Sequence, residues 1–512
     1  MADDRIQGSK PWITVAVMCA ALMAVLDISI VNVALSDISA SFGTPLDQIA
    51  WVSTGYMMAN VVIIPMTGWL QRRFGYRAYF TGSILLFTAA SVLCGTAWNL
   101  PSLVLFRVLQ GMGGGAIIPT AQSILFARYP KNEHTMAGAL FGLGAVTGPL
   151  LGPTVGGYLI EISGWHWIFL INVPVGLTAA FLSWKHIKEP AWTKPNEKID
   201  GYGIGLLAVG MASLQYVLEE GNRNDWFEST EILVLSCIAA IALVTFFVHE
   251  LEVKNPVVDL RIFKNRSYTA ATGVNFLLGV ALFGASYLFS LYCGAVMHYT
   301  ALDIGTVFLV AGVAQIIMMP MVGRFSGRFD GRMVLGLGIA ITSYSLFMTT
   351  KFTNQASFWN LTAPRVVQGI GMSLIFIPLS VLALSDLTSE KRGNATGLFN
   401  LTRELGGSIG LAWMGMQLSN GTRINSAHLR EHVDVYNPIV QEQLAMMQGV
   451  GARTADAQKA GLQLLSYRIE IQALIKTFNY AFTLAAIGFA SALILVFFLK
   501  RANPNVKIEG AH

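Results

Sequence analysis

A chain of 512 residues in which 54% are hydrophobic and only 12% are charged carries too little charge to cover a water-soluble surface, which excludes an ordinary soluble enzyme. The formal net charge of +5 is small, and its placement in loops, taken up below, accounts for it without a nucleic-acid partner.

Runs of roughly 20 apolar residues, the length that crosses a hydrocarbon core of about 30 Å, predict fourteen transmembrane helices. They fall at 12–36, 47–70, 78–98, 101–124, 136–161, 166–185, 202–219, 231–251, 269–293, 302–323, 332–350, 357–384, 394–417 and 477–499. The first run is too long for a signal-peptide core and is read as a retained helix. It carries one acid, Asp27, in otherwise apolar surroundings. An intramembrane carboxylate is costly and is a functional candidate by default. Between the second and third runs lies Gly68-Trp69-Leu70-Gln71-Arg72-Arg73-Phe74-Gly75-Tyr76-Arg77.

The fourth run carries Arg107 with Gln110 and Gly111. Counted from the ends of their runs, Asp27 lies roughly 22 Å from one face and Arg107 roughly 9 Å from the other, so the two can share one membrane layer. Asp27 either titrates or holds a static ion pair with Arg107. In the fifth run Gly148, Gly152 and Gly156 recur every four residues, with Pro153 and Gly157 beside them. Such a stripe lets a second helix approach closely, and Gly152-Pro153 adds a kink. That helix is expected to hinge or seal at the interface between two halves, or simply to pack tightly.

The seventh run closes on Glu219 and Glu220, expected to be solvated at the far surface. The thirteenth carries Arg403 and Glu404, which as helical neighbours point to different partners. Glu404 is a second proton- or cation-binding candidate beside a packed ion pair. The stretch 418–476 mixes polar residues with periodic Leu444, Met447, Leu462, Leu465 and Ile469, and predicts one or two amphipathic helices at or above the surface. The four cysteines sit inside predicted helices and the eight histidines lack metal-ligand spacing, so neither a metal site nor a disulfide is expected.

With the N-terminus inside, the inner segments hold 23 lysines and arginines and the short outer loops only Arg223 and Lys351. This bias places both termini in the cytoplasm. Arg107-Val-x-Gln110-Gly111 returns as Arg365-Val-x-Gln368-Gly369, and Gly68, Arg73 and Gly75 return as Gly323, Arg328 and Gly331. The offsets nearly agree, which indicates duplicated halves. The expected division is 1–185 and 269–512, six helices each, with linkers and an inserted transmembrane hairpin over 186–268. Asp27 maps onto Gly284, so the second half has no matching acid. Duplicated halves place a site at their interface near mid-membrane.

Together these motifs resemble the major facilitator superfamily, and within it the fourteen-helix drug:proton antiporters of EmrB type. Leu26-Asp27-Ile28-Ser29-Ile30-Val31-Asn32-Val33-Ala34-Leu35 is similar to their first-helix signature. The stretch 68–77 resembles the superfamily loop after helix two, Arg107-x-x-Gln110-Gly111 the helix-four motif, and Gly148-x-x-x-Gly152-Pro153-x-x-Gly156-Gly157 the antiporter motif of helix five. Trp167 to Gly176 is similar to the sixth-helix pattern, where a structural role is expected. Two departures stand out. An upstream family glycine falls on Ala139, and the acid of the loop falls on Arg72, so the charged latch that acid makes in relatives cannot form there. Arg73 and Arg77 remain.

The resemblance implies an all-α membrane protein with the major facilitator fold, two six-helix bundles and an inserted hairpin. It implies a proton-coupled exporter of amphipathic drugs in a bacterial inner membrane, driven by the proton gradient with no cofactor. Asp27, Arg107, Arg403 and Glu404 are then the coupling candidates, and Gly68, Arg73, Gly75 and Arg77 the conformational loop. It further implies a periplasmic membrane-fusion adaptor and an outer-membrane channel, with 418–476, including Tyr436-Asn437-Pro438, as the contact; a self-packed cap is the alternative. Export of one endogenous metabolite, such as a fatty acid or siderophore, remains open. No nucleotide-binding loop or nucleophile–base pair supports an enzyme or primary pump, and a buried acid in duplicated halves disfavours a channel.

Overall fold

The computed structural model describes residues 9–500, apart from 131–132, 190–191, 194–198, 326–328, 385–386, 432–440 and 442–454. The helices are α1 (Lys10–Phe42), a broken helix Trp51–Gly95 whose arms 51–74 and 76–95 are α2 and α3, α4 (Leu100–Arg128), α5 (His134–Ser163) and α6 (Asn172–His186). The inserted pair is α7 (Gly201–Glu220) and α8 (Thr230–Glu252). Then come α9 (Arg266–Ala295), α10 (Ala301–Phe325), α11 (Gly331–Thr349), α12 (Phe358–Leu384), α13 (Ser389–Glu431) and α14 (Ala455–Ala490), which continues as Ala492–Val496. Among the described residues eleven helices are long and apolar enough to cross a membrane, the broken one counted once.

Helix ends follow local chemistry. Pro11 starts α1 and Gly43, at φ +63°, ends it. Asn99 and Ser102 form a reciprocal capping box on α4. Asp200 caps α7 through the Gly203 amide at 2.9 Å and also meets His249 at 2.7 Å, which ties the foot of α7 to that of α8. Gly75 breaks α2 from α3 at φ +79°, where a side chain would strike the Glu189 carboxylate. That carboxylate accepts from the Ala78 amide at 3.1 Å, at the start of α3. Large apolar side chains such as Phe181, Ile241 and Phe247 are exposed on the outer flanks, as lipid-facing surfaces require.

The structure departs from the sequence expectation at the outer segment. α13 runs on past 417 to Glu431, roughly 20 Å of extra helix, and α14 begins at 455 rather than 477. The two extensions pack together: Asn425 donates to Thr477 at 2.9 Å, and Arg430 pairs with Glu470 at 3.2 Å. The ends of the segment are therefore continuations of membrane helices, not separate helices lying on the surface. Their polar residues lower the hydropathy signal without lowering helix propensity. Tyr436, Asn437, Pro438, Leu444 and Met447 fall outside the described residues, as does Arg328.

Polar bridges join the first-half helices to the second at the face bearing the loops rich in Lys and Arg, hereafter the basic face. Ser123 of α4 meets Thr396 of α13 at 2.6 Å, Asn400 donates to Gln122 at 2.8 Å, Gln122 to Ser380 of α12 at 3.3 Å, and Arg392 to the Phe126 carbonyl at 3.0 Å. Gly68 of α2 lets the start of α13 approach so closely that a Cβ would sit 2.5 Å from the Asn394 backbone. Hydrogen-bonded polar contacts of this kind separate at lower cost than an apolar core.

Candidate functional site

Asp27 and Arg107 meet, as their shared depth allows. The guanidinium Nη1 lies 2.7 Å from Asp27 Oδ2, and both side chains are almost wholly removed from solvent. The other carboxylate oxygen accepts from Gln110 Nε2 at 2.9 Å and from Asn172 Nδ2 of α6 at 2.7 Å. Gln110 also donates to Ser91 of α3 at 2.8 Å. Arg107 is held by the Val52 carbonyl at 3.1 Å, by Gln110 Oε1 at 2.6 Å and by the face of the Tyr56 ring at 4.3 Å. Cys94 reaches Gln110 Oε1 at 3.6 Å, so this cysteine belongs to the network as well as to the packing. Three donors thus meet the two oxygens of the buried carboxylate, and neither oxygen is left without a partner.

The second half repeats the cation without the acid. Arg365 donates to Gln368 Oε1 at 2.6 Å and to the Ala285 carbonyl at 2.9 Å, with its guanidinium 4.0 Å from the Phe289 ring centre. Gly284, next to Ala285, stands where Asp27 stands in the first half, and its missing side chain admits the Gly410 backbone of α13. The repeat is thus structural in both halves and acidic in one.

Arg403 turns to Asn400 Oδ1 at 2.9 Å and to the Phe376 ring. Glu404 makes no ion pair or hydrogen bond among the described residues. It lies in electrostatic range of its neighbour Arg403, of Glu219 and of Tyr56. Glu220, expected to be solvated, is instead buried and pairs with Arg223 at 3.2 Å, while Glu219 is half-buried. Glu219 accepts from Gln215 at 2.7 Å, and the buried Gln215 exchanges hydrogen bonds with Ser408 of α13, one turn beyond Glu404. Trp51 and Tyr216 pack ring to ring at 5.4 Å, which fixes α7 to α2 as well. The inserted hairpin therefore bridges the two halves and brings a carboxylate towards their junction.

The helix-five glycines serve a neighbour other than the expected one. A Cβ at Gly148 would lie 2.6 Å from Val25 and 2.9 Å from the Leu26 amide, and one at Gly152 would overlap Ser29. Gly156 faces Ile30 with ordinary contact, and Gly157 faces open space. The stripe seats α5 on α1, on both sides of Asp27. The half interface is made by the other end of α5, where Gly138 faces Ile377 and Gly142 faces Met319. The Pro153 side chain lies outside those described. In the loop after α2, Arg77 stacks on Trp184 at 4.6 Å and lies 3.9 Å from Glu189, while Arg73 lies near Trp69 and Phe74.

A family model described as the Major Facilitator Superfamily matches residues 17–411. The chain is 36% identical over 496 residues to the multidrug export protein EmrB of Haemophilus influenzae, covering 96% of each. It is 32% identical over 489 residues to the fatty acid resistance protein FarB of Neisseria gonorrhoeae, again covering 96% of each. Among solved structures it is similar to the proton:xylose symporter XylE, with a TM-score of 0.59 at 13% identity, covering 93% of this chain and 94% of that one.

Proposed function

The chain belongs to the major facilitator superfamily, and from that membership we propose that it exports amphipathic small molecules in exchange for protons. It is a multi-pass membrane transporter and not an enzyme. The observation that carries the exchange reading is Asp27. It is the acid of a buried network that draws on five helices of the first half, and the second half has Gly284 in its place. A single acid in one of two pseudo-equivalent positions gives proton handling an address, and alternating access gives it a cycle. The described conformer is bridged at the basic face. With the basic face in the cytoplasm of a bacterial inner membrane, this is the state in which the cytoplasmic side is shut.

The relatives' names divide between multidrug export and fatty acid resistance. Glu404 and Glu219, two carboxylates near the junction of the halves, favour cationic or neutral amphiphiles over fatty acid anions. Transport in proteoliposomes under an imposed pH gradient, across cationic, neutral and anionic amphiphiles, tests both parts. Efflux of several cationic compounds that stops when the gradient is collapsed is the expected result. Transport of long-chain fatty acid anions alone would move the reading to a dedicated exporter, and transport indifferent to pH would end the antiport reading.

The paired extensions of α13 and α14 support a further part of this reading, that the outer segment meets a periplasmic membrane-fusion adaptor and through it an outer-membrane channel. Replacing 422–470 by a short Gly/Ser linker is expected to leave insertion and substrate binding intact and to abolish resistance in cells with an outer membrane. Full resistance in those cells identifies the segment as a self-packed cap.

A further inference from the structure

At the basic face, away from Asp27, lies an open cavity of about 640 Å³ where three segments converge: the end of α2, the linker 254–265 and the start of α13. Five cations line it, Arg72, Lys254, Arg261, Lys264 and Lys391, against two acids, Asp259 and Glu390. Asp259 already caps a short helical turn through the Arg261 amide at 3.1 Å. Among the described residues the ammonium groups of Lys254, Lys264 and Lys391 have no ion-pair or hydrogen-bond partner. Topology alone requires basic loops on one face, but it does not require them to surround a cavity.

The walls of the cavity are tied to one another through its floor. Arg72 donates to the Pro256 carbonyl at 3.1 Å. Asn394 of α13 pairs with the linker backbone in both directions, accepting from the Asp259 amide at 3.1 Å and donating to its carbonyl at 2.8 Å. Arg72 thus places a positive charge against the linker. Arg72, Lys391 and Arg266 stand at the ends of α2, α13 and α9 on the basic face, the position that basic residues beside a membrane span take near lipid headgroups.

We propose that this basin is a binding site for the phosphate group of an anionic ligand, which bridges α2, the linker and α13 and favours the conformer closed at the basic face. A phosphate supplies the diffuse negative charge and multiple acceptors that lysine and arginine clusters recognise. Its position at the rim fits the headgroup of an anionic phospholipid, and its openness also admits free phosphate. A ligand that binds only while the three segments are together shifts the cycle toward the closed state by its differential affinity.

The test uses the full-length protein purified in a neutral detergent, with its thermal stability followed as short-chain phosphatidylglycerol, short-chain phosphatidylcholine or inorganic phosphate is added. The triple variant Lys254→Gln/Lys264→Gln/Lys391→Gln removes exposed side chains and keeps the fold. The pair Lys185→Gln/Lys188→Gln, on the same face but outside the cavity, controls for general surface charge. Phosphatidylglycerol is expected to stabilise the wild type and the control pair, and phosphatidylcholine is not. The triple variant is expected to need a far higher concentration, roughly fivefold more for each lysine removed. The same variant-sensitive shift with inorganic phosphate also supports the site and assigns it to free phosphate. Stabilisation that is absent in the wild type, unchanged in the triple variant, or lost equally in the control pair overturns the proposal and leaves the lysines as topology alone.

Discussion

Asp27→Asn is expected to leave a folded, inserted protein whose efflux no longer follows a pH gradient, a fall of at least about tenfold in gradient-driven transport. The substitution keeps the shape of the side chain and removes its charge. Arg107 then retains Gln110 Oε1, the Val52 carbonyl and the Tyr56 ring, but loses its carboxylate. Gln110 and Asn172 both donate to one Asp27 oxygen, and both lose that acceptor if the new amide nitrogen faces them. Breaking a buried pair costs on the order of 3–5 kcal/mol, so the variant is checked for folding and for substrate exchange without a gradient. Exchange retained with coupling lost identifies Asp27 as the proton carrier. Wild-type coupling in the variant removes it from that role, and loss of folding assigns it to a static pair. Glu404→Gln and Glu219→Gln serve as comparators and are expected to weaken transport of cationic compounds while gradient dependence survives.

How much of this site was legible beforehand depends on the kind of information each residue carries. That Asp27 and Arg107 could meet was legible from depth, because helix rise converts sequence position into height in a bilayer. Asn172 and Ser91 were not picked out. Their signal was present, an amide and a hydroxyl in apolar runs that need partners in hydrocarbon, but nothing local says which of several helices supplies the partner. The surroundings of Glu219 were missed for a related reason. Counting to the helix end gives height correctly and says nothing about azimuth, and it is the Gln215–Ser408 contact that turns α7 inward. The length of α13 was underestimated because hydropathy reports where lipid ends, not where hydrogen-bonded helix ends. The duplicated architecture was the easiest part to read, since the Arg-Val-x-Gln-Gly echo fixes two elements at once.

The glycine stripe of α5 shows the same limit and yields the second large effect. Spacing predicted close approach to some helix, and the structure makes that helix α1, at the residues flanking Asp27. Gly152→Leu is therefore expected to abolish turnover. Its Cβ alone overlaps Ser29, and the remaining side-chain atoms have no free volume between two helices already in contact. Gly148→Leu is expected to be as severe, because the nearest atoms include the Leu26 amide of the backbone, which cannot rotate away as a side chain can. Forcing α1 from α5 moves the segment that carries Asp27 away from Arg107 on α4 and Asn172 on α6, so the defect reaches the proton network and not only the packing. Gly156→Leu, against Ile30 at ordinary contact distance, is expected to be milder, and Gly157→Leu, with nothing within 4 Å, close to wild type. The order Gly148 and Gly152 worst, then Gly156, then Gly157, is measured as gradient-driven efflux per folded, reconstituted transporter. A severe loss at Gly157 with little at Gly152 would place the working surface of α5 against the opposite half instead, and would separate the motif from Asp27.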